Sequence, residues 1–174
     1  PFMEKIIFRV SDQLYGISEG LVGAGMIGGA VLTGIIAKKV PFEKLYYYFC
    51  GIIVLVLGMG VSALPFLVSV SGPSMVSYVV FTACGFLFAF LLAIINILCM
   101  TYMQKEIPME YMGKSMALIM AMPTALMPIG QLIFGGLYDA FASYTWMIYI
   151  LVALCATVST VVTYRMIKKA IGNG

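Results

Sequence analysis

The sequence predicts an all-α membrane protein, a polytopic bundle of five transmembrane helices. Three observations predict it. Hydrophobic residues make up 63% of the 174 and charged residues only 10%, with a mean hydropathy of +1.07, whereas a soluble domain has roughly 25% charged residues. The apolar residues fall into five long runs joined by short links. Lys and Arg load every second link: Lys38, Lys39 and Lys44 in one, Lys105 and Lys114 in another, and Arg165, Lys168 and Lys169 in the tail. The intervening links, Pro65 to Ser74 and Tyr138 to Thr145, carry no charge and Asp139 alone, respectively. Basic residues are retained on the cytoplasmic side of a membrane, so the chain is expected to begin outside and end inside.

Residues 1–15 precede the first span as an outer interfacial or linker segment. Met3, Ile6, Ile7, Val10 and Leu14 recur at helical spacing, with Lys5, Arg9 and Asp12 on another face. That pattern suggests a short amphipathic helix lying at the interface, or the end of a span that begins upstream. The first span covers 16–37, roughly 33 Å of helix, enough to cross a ~30 Å hydrocarbon core. The second covers 45–64, and the apolar, Pro-broken stretch after it rides at the interface. The third, 75–103, is longer than the membrane is thick and must tilt, bend or protrude. The fourth covers 115–137 and the fifth 146–164, leaving 165–174 as a cytoplasmic tail. Lipid offers no hydrogen bonds to the backbone, so such runs form helices; barrel strands would be half as long and would alternate. Tyr46, Tyr47, Tyr48, Tyr102 and Tyr164 mark the inner edge, and Tyr138, Tyr144 and Trp146 the outer, where amphipathic rings favour the interface.

Composition also narrows the chemistry. A net charge of +3 comes from the loops that topology already explains, so no nucleic-acid partner is expected. Histidine is absent, which removes the commonest general base and metal ligand. Cys50, Cys84, Cys99 and Cys155 lie in or beside apolar runs with no C-x-x-C spacing, and read as small apolar side chains. No phosphate-cradling loop, nucleophile elbow or metal cluster is present, so neither an enzyme nor a cofactor or metal is expected. The chain starts at Pro1 and reads as a piece of a longer protein.

A few residues stand out within the spans. Gly16, Gly20, Ala24 and Gly28 fall at four-residue steps along the first span and form one smooth ridge, with Gly25 and Gly29 beside it. Such a ridge lets another backbone approach closely, either as a static seam or as a contact that slides. Pro123 and Pro128 deprive the carbonyls of Ile119 and Thr124 of their helical partners and predict a bend, static or gating. Asn96 in the third span and Gln131 in the fourth are polar residues inside the membrane. Each serves either an interhelical hydrogen bond, worth ~0.6 kcal/mol, or a substrate cavity. Glu19, near the outer end of the first span, is the one carboxylate that enters a span and is the proton-coupling candidate. Asp139 reads as a turn or capping residue.

Two stretches carry a family resemblance. The segment from Gln104 through Pro108 to Gly113-Lys114 resembles the cytoplasmic link between the tenth and eleventh helices of major facilitator superfamily exporters, with Lys114 where Arg is usual. Pro128-Ile129-Gly130-Gln131 followed by Gly135-Gly136-Leu137-Tyr138-Asp139 resembles the end of the eleventh helix in the macrolide-efflux-like and siderophore-exporter-like branch. Tyr15-Gly16 to Lys38-Lys39 is similar to the eighth helix and its following loop, although the loop lacks the Asp-Arg pattern often found there. The resemblance implies the last five of twelve helices of a secondary transporter in a bacterial cell membrane. It implies gradient-driven efflux of small amphipathic molecules by alternating access against a missing N-terminal bundle, with antiport of protons. Asn96 would then lie on a cavity-lining helix, and the first and fourth spans would lie where the two halves meet. The alternative is a non-transporting integral subunit or scaffold.

Overall fold

The computed structural model describes Glu4 and residues 8–36, 45–64, 75–140 and 145–172, with backbone alone at 139–140, 145 and 166–172. The links at Lys38–Lys44 and Pro65–Ser74, and Met3, Lys5, Ile6, Ile7 and Tyr144, lie outside the described residues. So do the side chains of Asp139, Lys168 and Lys169.

Five helices follow one another: α1 Asp12–Ile36, α2 Leu45–Ser62, α3 Met75–Glu106, α4 Met109–Ala140 and α5 Thr145–Gly172. All five are long and apolar enough to cross a membrane. Their boundaries follow from local chemistry. Ser11 caps α1: its hydroxyl accepts from the Leu14 N–H at 3.4 Å and its carbonyl accepts from the Tyr15 N–H at 3.1 Å. Asp12 then sits in the first turn, where the helix dipole favours a carboxylate. At the far end of α2 the amides of Ala63 and Leu64 donate to Gly60 and Val61, three residues back, tightening the last turn just before Pro65.

Two expectations change here. The chain over Phe8–Val10 is not helical, although its apolar spacing suggests a helix. Arg9 has a positive φ of 53°, and the Val10 amide turns back to donate to the Glu4 carbonyl at 3.1 Å. Tertiary burial explains the outcome: Phe8, which is not part of the spaced apolar set, is completely buried and meets Phe81 edge-on with ring centroids 5.5 Å apart. The second change concerns Gln104 to Lys114. It is almost entirely helical, because α3 continues to Glu106 and α4 begins at Met109. Only Ile107 and Pro108 separate them, at the place where proline disfavours helix for the residue before it.

Glycines report the order and direction of packing. Gly25 lies against Phe86 and Gly29 against Phe90, so α1 and α3 run the same way. Gly51 meets Leu91 and Gly58 meets Cys84, so α2 runs against α3. Gly60 meets Tyr149, and the rings of Tyr46 and Tyr164 lie 4.9 Å apart, so α5 runs against α2. The most extensive packing joins α1 to α3, then α2 to α3 and to α5, while α4 makes only slight contact with α5. The central helix is therefore α3, which buries Tyr78, Ala89, Ala93, Ile94, Ile95 and Leu98. Between residues 109 and 138 no α4 side chain is buried.

Two clusters form the core. At one end Phe8, Val10, Ala63 and Tyr78 are buried together, with Tyr138, Trp146 and Tyr149 packed around them. At the other, Leu45, Ile94, Ile95 and Leu98 are buried together, flanked by Phe49, Cys99 and Tyr102. Hydroxyls inside the helices are mostly used up locally. Thr33 donates to the Gly29 carbonyl at 2.7 Å, and on α5 Thr157, Ser159, Thr160 and Thr163 each donate to a carbonyl four residues back.

Candidate functional site

The glycines of α1 divide between two faces. A Cβ at Gly25 would stand 2.6 Å from the Phe86 carbonyl oxygen, and one at Gly29 would fall on the carbonyl oxygen of Phe90. These two glycines, with buried Ser18 and Thr33, form the seam on which α3 lies. Gly16, Gly20, Gly23 and Gly34 have open space where a Cβ would project, and Ala24 is exposed. Gly28 sits between, with the Phe90 ring at an ordinary 3.5 Å. The four-residue ridge from Gly16 to Gly28 is thus mostly an open face, and the packed seam is the neighbouring pair.

Between α1 and α3 lies an apolar cleft of about 500 Å³, lined by Leu14, Ile17 and Leu21 on one side and Tyr78, Thr82 and Phe86 on the other. The Tyr78 hydroxyl closes one end by donating to the Leu14 carbonyl at 2.8 Å. The Thr82 hydroxyl is buried without a hydrogen-bond partner among the described residues. Buried polar groups are usually paired, so this hydroxyl is available to a polar group that enters the cleft. A smaller space of about 400 Å³ lies between α2 and α5, beside Gly60, Trp146 and Tyr149. Volumes of this order suit small ligands, and the linings are almost wholly apolar.

Asn96, Gln131 and Glu19 are all exposed, and none lines either space. They are not brought together. With Gly25 level with Phe86, Glu19 and Asn96 lie about 24 Å apart along the paired axes of α1 and α3. Gln131 stands on α4, which barely touches the other helices. Pro123 and Pro128 lie inside α4, which continues helical through both. Thr124 donates its hydroxyl to the Met120 carbonyl at 2.9 Å, one residue beyond the Ile119 carbonyl that Pro123 leaves free. Gln104, Pro108, Gly113 and Lys114 are exposed around the α3–α4 junction. Thr82 escapes sequence reasoning because a threonine in an apolar run normally donates to the carbonyl four residues back, and nothing in the sequence marks the one that does not.

All four cysteines are free, and among the described residues no cluster of His, Cys, Asp and Glu is placed to hold a metal ion. Among the described residues the molecule is all-helical, with five helices long and apolar enough to cross a membrane and apolar clefts between α1 and α3 and between α2 and α5. No family model, curated protein or solved structure matches the chain.

Proposed function

We propose that the chain is the C-terminal part of a gradient-driven secondary transporter that exports small amphipathic molecules by alternating access. The observation that carries the reading is the uncovered state of α4. It is apolar, contains Pro123 and Pro128, and among its described residues has no fully buried side chain. The open glycine face of α1 adds a second smooth surface. Two such faces suit a second helical bundle that packs loosely enough to rock. In this reading Asn96 and Gln131 contact substrate, Glu19 carries the coupled proton, and the bend at the two prolines accompanies the rocking.

An uncovered α4 also suits a non-transporting subunit of a membrane assembly. Reconstitution of the intact protein into liposomes separates the two. Uptake or release of drugs, siderophores or metabolites that depends on an imposed ion gradient is the expected result. Absence of flux for every class, together with stoichiometric recovery of another membrane chain, would favour the subunit.

A further inference from the structure

We draw no further inference here: the strongest candidate, the apolar cleft between α1 and α3 beside the Thr82 hydroxyl, carries none, because nothing among the described residues shows what covers it.

Discussion

Gly29→Ala should loosen the α1–α3 seam measurably, although it adds a single methyl. The new carbon falls on the carbonyl oxygen of Phe90 and lies 3.0 Å from the Ala93 Cβ. Neither neighbour turns aside, since one is backbone and the other has no rotamer. Helix α1 must therefore withdraw from α3. Overpacking of this kind costs roughly 1–3 kcal/mol, while exchanging Gly for Ala within a helix regains about 0.5–1 kcal/mol. The balance is a loss of up to about 2.5 kcal/mol. For a chain of this size that lowers a thermal midpoint by up to roughly 10 °C. Gly25→Ala, facing the Phe86 carbonyl oxygen at 2.6 Å, should behave alike. Gly20→Ala is the internal control: its Cβ meets nothing within 4 Å, so only the propensity gain remains and the midpoint should hold or rise. The assay is thermal unfolding of the intact protein in detergent, followed by Trp146 fluorescence and by size exclusion after heating. A Gly29→Ala protein that melts at or above wild type, or a Gly20→Ala protein that falls as far, would refute the assignment of the seam.

Thr82→Val removes an unpartnered buried hydroxyl at nearly constant shape, so stability should be unchanged or higher by up to about 3 kcal/mol; a clear fall in the same melting assay would mean that the hydroxyl has a partner. Asn96→Leu, at an exposed position of α3, should leave folding intact, since an interhelical bond is worth only ~0.6 kcal/mol, yet shift apparent substrate affinity. Wild-type flux in Asn96→Leu, together with an Asn96→Cys thiol that soluble reagents never reach, would return the residue to a structural role. Basic links predict a cytoplasmic position for Val40 and the tail, so cysteines placed there should resist an impermeant thiol reagent in intact cells. Ready labelling of both from outside would reverse the topology.

Much of this molecule was legible as sequence because lipid imposes a local rule. A backbone in hydrocarbon must bond within its own segment, so length and polarity alone announce each helix. All five elements, and the limits of α2 to within two residues, follow from that rule and from the turn chemistry around them. What the pattern of residues did not determine was partnership. In the first span six small residues stand close together, and periodicity groups Gly16, Gly20, Ala24 and Gly28, yet α3 lies on Gly25 and Gly29. A small residue permits close approach without attracting it, and which face is used depends on the shape of the surface opposite. The same holds for Phe8, which is buried beside Phe81 in a non-helical stretch over Phe8–Val10, and for Thr82, whose isolation depends on which groups lie across from it. The clefts between α1 and α3 and between α2 and α5 are gaps between helices, so they have no signature in any one segment. The sequence by itself determined the five long helices of the described residues and that each is apolar enough to cross a membrane; tertiary packing decided which faces meet and where space is left, because those depend on residues far apart in the chain.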